Sequence, residues 1–230
     1  MIHMSNDVHH TSPITLGNVL DSVAWIENLR PHRLGVLVDL VSEVRICDGG
    51  SDEAMTRQPA WREVSTYLIR GAHTAATDHD SGDASHLATT GDAPQTTKPP
   101  AHPPWAPPLP TARWVLPAGT ARAYAAISGD HNPIHMSAIA AKTFGFPRSS
   151  VHGMYSAARA LAEVGPIKGA TYRWTVSFGR PVQAPSTVDV AITPATVVGH
   201  TDNPTAMGFS YEGWNAARNQ RHFRGAVTPL

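Results

Sequence analysis

Alternation of apolar and polar residues is sharpest towards the carboxy terminus. In "TYRWTVSF" (171–178), Tyr172, Trp174, Val176 and Phe178 share one side of an extended chain. Thr171, Arg173, Thr175 and Ser177 share the other, the period-two pattern of a half-buried strand. "TVDVAIT" (187–193) repeats the pattern with Val188, Val190 and Ile192 inward. "AMGFSYEGW" (206–214) and "QRHFRGAV" (220–227) extend the run, and Gly, Pro and Asn turns join these segments as antiparallel neighbours. Two helical stretches precede them: "MSAIAAKTFG" (136–145), ending at glycine, and "GMYSAARALAEV" (153–164), stopped by Gly165-Pro166. Ala157, Ala158, Ala160 and Ala162 make the second helix small nearly all round, so other elements can approach it closely on several sides. A strongly curved antiparallel sheet around a central helix fits this pattern, and so does a plain α+β sandwich.

The first part of the chain carries weaker signals. "GVLVDLVSEVRI" (35–46) and "WREVSTYLI" (61–69) are rich in β-branched residues. Asp48-Gly49-Gly50 supplies a turn between them and Pro59 marks the start of the second strand. "VLDSVAWIENL" (19–29) reads as a further strand, with helix as the alternative. Glu43 and Glu63 fall on the solvent faces of their strands, and this half offers no acid–base constellation. Residues 72–110 hold almost no large apolar side chains and end in a proline cluster, so they predict a flexible linker that becomes an extended polyproline segment. Its histidines, His73, His79, His86 and His102, are irregularly spaced and read as solvated. The chain therefore divides into 1–71, a linker 72–110, and 111–230.

Bulk properties remove whole classes of function. Eighteen basic and eighteen acidic residues in 230 cancel, so the chain lacks the electrostatic footprint of a nucleic-acid or anionic-membrane binder. No apolar run approaches the roughly 18 residues that span a bilayer. "MIHMSNDVHHTSP" lacks the charged-then-apolar pattern of a signal peptide, and a cytoplasmic protein is expected. A single cysteine, Cys47, excludes an internal disulfide framework and reads as a small buried hydrophobe.

The candidate chemistry lies in "ISGDHNPIHMS" (127–137) and in "VHGMYSAARALAEVG" (151–165), which opens a helix. Pro133 fixes its own φ and restricts Asn132, while Gly129 permits a tight bend. Such a turn can bring the Asp130 carboxylate and the His135 imidazole towards one point, where they could hold a water and move protons both ways near neutral pH. Gly153 presents backbone N–H groups that no helical carbonyl satisfies. A donor of that kind, aimed at a developing oxyanion, is worth about 3 kcal/mol. Adding or removing water beside a thioester carbonyl needs both devices. Two other readings stay open on the residues alone. Asp130 and Asn132 can be turn formers with His152 an ordinary residue before a helix. A metal could use Asp130, His131 and His135 with His152, although no regular H-x-x-x-H helix pair supports it. Ser128 and Ser156 lie near histidines, but neither sits in a nucleophile elbow.

"YAAISGDHNPIHMS" (124–137) with "GFPRSSVHGMYSAARA" (145–160) resembles the MaoC-like hydratases and dehydratases, among them the (R)-specific enoyl-CoA hydratases and 3-hydroxyacyl-thioester dehydratases. "SFGRPVQAPSTVDV" (177–190) looks like the Phe-x-x-Pro-Val strand region of that family, and the likeness covers roughly 113–228. The resemblance implies an α+β hot-dog fold, a curved antiparallel sheet wrapped around a central helix. It makes Asp130 and His135 the catalytic pair and Gly153 the donor to the thioester oxygen. Asn132, which would also hold the loop, His152 at the helix entrance and Ser128 complete the implied substrate-binding set. The implied reaction is reversible hydration of a trans-2-enoyl thioester, of CoA or acyl carrier protein, to an (R)-3-hydroxyacyl thioester. No metal and no cofactor are required, and pairing of hot dogs implies a homo- or heterodimer. Ser149-Ser150 stand where relatives often have an apolar or proline-containing run. "ENLRPHRLG" (27–35) and "WREVSTYL" (61–68) resemble the later strands of a degenerate first hot dog, with no room before residue 18 for its opening strand and central helix. That partial half leaves a noncatalytic acyl-thioester-binding subunit of a heteromeric dehydratase as the alternative, with a hot-dog thioesterase behind it.

Overall fold

The computed structural model describes residues 1–47, 58–72, 105–195 and 207–230. The Asp48-Gly49-Gly50 turn and most of the expected linker, with its four histidines, lie outside the described residues. Nine strands form one antiparallel sheet. In chain order they are β1 (Ile2–His10), β2 (Val19–His32), β3 (Gly35–Cys47), β4 (Trp61–Arg70), β5 (Ala112–Leu116), β6 (Tyr172–Phe178), β7 (Ser186–Ala195), β8 (Gly208–Asn215) and β9 (Gln220–Pro229). Across the sheet the order is β2-β3-β4-β1-β6-β9-β8-β7-β5. Four helices fall between β5 and β6: α1 (Thr120–Ser128), α2 (Pro133–Met136), α3 (Ala138–Thr143) and α4 (Gly153–Val164).

The four carboxy-terminal strands follow the alternation of the sequence. Trp174 and Val176 of β6 and Val188 and Val190 of β7 are buried, and they share a core with Trp114, Phe223 and Val227. Ala157 and Ala160 of α4 join that core with no accessible surface. Small side chains thus let the concave face of the sheet close around the helix. Two cross-strand pairs on β8 and β9 set an aromatic ring opposite a glycine, Tyr211 opposite Gly225 and Phe223 opposite Gly213. A Cβ on Gly225 would fall 2.0 Å from the Thr175 carbonyl oxygen and 2.4 Å from the Tyr211 hydroxyl. Strand curvature and aromatic packing both depend on the missing side chain there. Tyr211 accepts from Trp174 Nε1 at 2.7 Å and donates to the Thr175 carbonyl at 2.7 Å, which satisfies both polar atoms inside the core.

Several expectations need correction. Residues before 18 do hold a strand. β1 pairs with β4 on one side and β6 on the other, and a two-point ion pair from Arg173 to Asp7 (3.0 and 2.6 Å) reinforces the second seam. Val8 of β1 belongs to the carboxy-terminal core. Residues 19–29 need no correction: they are strand, as first read, within β2. The helix expected over 136–145 is two short ones, because Asn132 and Pro133 start α2 early and the Ser137 side chain caps α3 afresh. Glu43 does not face open solvent: its side chain is 15% exposed and meets Arg45 at 2.7 Å and Arg62 at 3.4 Å. Cys47 is half-buried. Within the expected linker, Trp105 packs edge-on against Trp214 and donates to Glu212 at 3.1 Å. In the amino-terminal half the described residues include no helix against the sheet, and Ile26 (64% exposed) and Leu40 (39%) stand open.

Candidate active site

α1 ends at Gly129, whose φ of 73° lies in the left-handed region and whose N–H caps the Ala125 carbonyl. The chain then turns through Asp130. Asp130 Oδ1 accepts from the Asn132 N–H at 3.1 Å, and the Asp130 N–H donates to Ser128 Oγ at 3.3 Å. Asn132 caps α2 and Pro133 takes its first position, so what reads as an Asn-Pro turn is a helix start. One turn of α2 carries His135 inward while Asp130 stays exposed at the rim. His131, between them, is exposed and points to no partner in the cluster.

The second fragment meets the first from below. Val151 donates its N–H to the Val182 carbonyl at 2.7 Å, which pins the segment before α4 to the sheet side of the core. His152 follows, 3% exposed, and its ring lies flat on that of His135 with centroids 3.7 Å apart. Tyr124 of α1 closes the other side of His152 at 5.1 Å. Gly153 is the first residue of α4, and no side chain caps that end of the helix.

Hydrogen bonds fix both histidine tautomers. The Ser150 carbonyl can only accept, so His135 Nδ1, 2.6 Å away, carries the proton. His135 Nε2 is then a lone pair, 4.0 Å from Asp130 Oδ2. His152 Nε2 is 2.9 Å from the Asp130 carbonyl oxygen and must carry its own proton to donate there. Burial lowers the pKa of His135 below 6.5, the His152 ring adds to that, and the Ser150 carbonyl and the Asp130 charge oppose it. His135 is therefore a neutral base at neutral pH. The gap of 4.0 Å is too long for a direct hydrogen bond and matches a single water shared by Nε2 and Oδ2.

Ligand-type atoms of Asp130, His135 and His152 lie within 4.8 Å of one another, close enough to raise the metal reading again. The donor set argues against it. His152 Nε2, the nitrogen nearest the carboxylate, is committed as a donor to a carbonyl, which leaves one imidazole lone pair and one carboxylate. His131, part of the sequence-based metal set, stands outside the cluster.

Gly153 has a reason beyond access for a ligand. A Cβ there would lie 2.8 Å from the Phe178 ring, so the aromatic residue on β6 and a side chain at 153 exclude each other. Phe178 in turn contacts His3 of β1 (5.0 Å), which stacks on Tyr67 of β4 at 4.5 Å. Asn6 of β1 bonds Glu63 and Ser65 of β4 and reaches Met154 of α4 at 3.6 Å. Burial raises the Tyr67 pKa, and the negative charges of Glu63 and Asp130 raise it further. The amino-terminal half thus adds polar residues beside α4 that the sequence reading missed. Their signal was available: Trp61, Glu63, Ser65 and Tyr67 alternate on one face of β4 and put polar groups where a core strand has apolar ones.

With this geometry in hand, known proteins are informative. Residues 95–205 match the model of the MaoC like domain. Over 191 residues the chain is 35% identical to 3-hydroxyacyl-thioester dehydratase X of Mycobacterium tuberculosis, an alignment covering 83% of this chain and 59% of that protein. The chain thus spans less than two thirds of that relative's length. The crystal structure of HtdX from the same organism superposes on 100% of this chain and 75% of its own, with a TM-score of 0.71 and 28% identity. A MaoC-like dehydratase from Phytophthora capsici superposes on 100% of this chain and 71% of its own at a TM-score of 0.63. At 17% identity it bears on the fold alone. The fold of the carboxy-terminal half is a hot dog.

Proposed function

We propose that this chain, whose residues 95–205 match the MaoC like domain, adds water reversibly to a trans-2-enoyl thioester and yields a 3-hydroxyacyl thioester of (R) configuration. The single observation that carries the reading is the unprotonated His135 Nε2 facing the Asp130 carboxylate across 4.0 Å, beside the uncapped start of α4.

In this reading a water sits between Asp130 Oδ2 and His135 Nε2. Its oxygen bonds to C3 of the enoyl group as one proton passes to the pair. The C2–C3 π electrons move towards the carbonyl, and the enolate oxygen is held by the Gly153 N–H at the positive end of α4. The proton then goes to C2, which closes the balance; dehydration is the reverse. Asn132 and Ser128 act on Asp130 by holding its loop. His152 supports the pair through its stacked ring and its bond to the Asp130 carbonyl. The reaction needs no redox group, since the substrate's own carbonyl is the electron sink. We place this chemistry in the cytoplasm and assign the enzyme to a dimer.

The test is loss of enoyl-thioester absorbance when purified protein is added to crotonyl-CoA, and then to a longer trans-2-enoyl-CoA. Loss that disappears in Asp130→Asn supports the hydratase. Stoichiometric binding of an acyl thioester without turnover, from folded protein, would move the reading to a noncatalytic subunit. Release of free thiol would move it to a thioesterase.

A further inference from the structure

One row of the sheet leads from the candidate site into the amino-terminal half. Its cross-strand partners are Val176 of β6, Asn6 of β1, Ser65 of β4, Leu40 of β3 and Ile26 of β2. Val176 lies in the core around α4, and direct partners share a face, so the whole row belongs to the side of the sheet that carries α4. Val176, Asn6 and Ser65 are buried, whereas Leu40 and Ile26 stand open, so this face is uncovered beyond β4. Polar groups interrupt the row at β1 and β4. Asn6 Nδ2 donates to Glu63 Oε1 and, at 3.2 Å, to Ser65 Oγ, which donates to the same carboxylate oxygen at 3.0 Å.

Asn6 is 3% exposed, and its own Oδ1 is buried without a donor. The amide is therefore turned to serve the carboxylate while its oxygen goes unpaired. Glu63 Oε2 bonds to none of the described residues, and no basic side chain among them pairs with Glu63. Arg62, next along β4, turns instead to Glu43 at 3.4 Å. A half-buried carboxylate held by neutral donors is a costly way to join two strands, since an apolar pair would desolvate no charge. The reaction centre is close. Asn6 Nδ2 also reaches Met154 Sδ at 3.6 Å, and Met154 follows Gly153. Burial, then the charges of Glu63 and Asp130, raise the Tyr67 pKa, so both carboxylates act on one phenol. From β6, where Gly153 packs on Phe178, β4 is two strand spacings away, about 10 Å.

We propose that Glu63 Oε2, set in place by Asn6 and Ser65, accepts a hydrogen bond from a hydroxyl group on the acyl chain, so that the enzyme selects hydroxylated enoyl thioesters over plain hydrocarbon ones. The inference rests on the hydratase reading and narrows its acyl group. A carboxylate accepts and cannot donate, so the recognised substituent is a donor, and a keto or ester group in the same place is refused. An unsubstituted chain strips water from Glu63 without replacing its hydrogen bond, and so binds less well. Leu40 and Ile26, further along the row, take the hydrocarbon beyond the hydroxyl.

Binding is measured first, on the full chain, with saturated thioesters that cannot be dehydrated or hydrated at C2–C3. Calorimetry compares 6-hydroxyhexanoyl-, 8-hydroxyoctanoyl- and 10-hydroxydecanoyl-CoA, each with its unsubstituted parent. At one length at least, the hydroxylated chain should bind roughly tenfold or more tightly. Glu63→Leu should erase that difference and Glu63→Gln, matched in shape, should shrink it. The ratio of kcat/KM for the matching trans-2-enoyl-CoA pair should follow the same order. Equal binding of every hydroxylated chain and its parent would overturn the assignment and leave the hydratase standing. A preference undiminished in folded Glu63→Leu, or in Glu63→Gln should the first variant not fold, would do the same. Plain and hydroxylated chains weakened alike by these substitutions would make the donor an amide of the shared pantetheine arm, and the acyl assignment would fall. A Glu63-dependent preference in binding, with no hydration of any enoyl-CoA, would keep the subsite and remove the hydratase.

Discussion

His135 lies flat against His152, ring centroids 3.7 Å apart, and the Asp130 carboxylate faces the edges of both rings. One ring offers a lone pair and the other a proton, so the two histidines are not equivalent. Removing the lone pair or the carboxylate removes the base. We expect Asp130→Asn and His135→Gln each to lower kcat by about 10²–10⁴-fold, with circular dichroism and melting temperature close to those of the parent. Near-parental turnover in a folded Asp130→Asn protein would end the assignment.

The direction of the His135 shift sets the pH profile. Burial favours the neutral ring, so the folded pKa lies below 6.5 and the base stays unprotonated to lower pH than a free imidazole. The acid limb of kcat/KM is therefore expected below pH 6.5. His152→Ala removes the neighbouring ring that also lowers this pKa and should move the limb upward, read from kcat/KM between pH 4.5 and 8.

Gly153 joins the site to the sheet. Gly153→Ala drives a methyl group into the Phe178 ring at 2.8 Å, and we expect a loss of about 1–3 kcal/mol in stability together with lost activity. Combining it with Phe178→Leu should return much of the stability, measured by urea denaturation. Activity that returned in full as well would leave α4 without the role assigned to its first N–H.

Gly225 is held more tightly. Its would-be Cβ meets a backbone oxygen at 2.0 Å as well as the Tyr211 hydroxyl, and a carbonyl in a strand cannot step aside as a side chain can. Gly225→Ala is expected to cost about 3 kcal/mol or more, and Gly119→Ala, with open space around it and an ordinary negative φ, far less. A melting temperature for Gly225→Ala within two degrees of the parent would contradict this view of the curved sheet.

How much the sequence revealed depended on whether the pattern was local. β6 and β7 were readable because one face is core and the other solvent, and α4 because its alanines answer to a single sheet. β1 was not. Its residues, "IHMSNDVHH", mix histidines and small polar groups because both neighbours are strands and one side faces a polar cluster. α1 and β5 were missed for brevity: five residues of "ARWVL" cannot establish a period. At the site, the motif gave Asp130, His135 and Gly153 as neighbours in principle. It could not give the His152 stack, which depends on a segment 17 residues further on meeting α2 in space. The alternation in β4 sets Glu63 and Tyr67 on one face, but their place beside β1 needs the register of β4 against β1.

The place of β1 has a consequence for how the molecule comes into being. Its residues are synthesised before either strand they pair with, β4 some 60 residues later and β6 about 170 later. Until the last of these emerges, the strand that joins the two halves offers an unpaired edge to whatever is nearby. Assembly of the carboxy-terminal half therefore closes onto a strand synthesised well before it. Expression temperature and holdase chaperones should govern the soluble yield of this protein more than any feature of its active site.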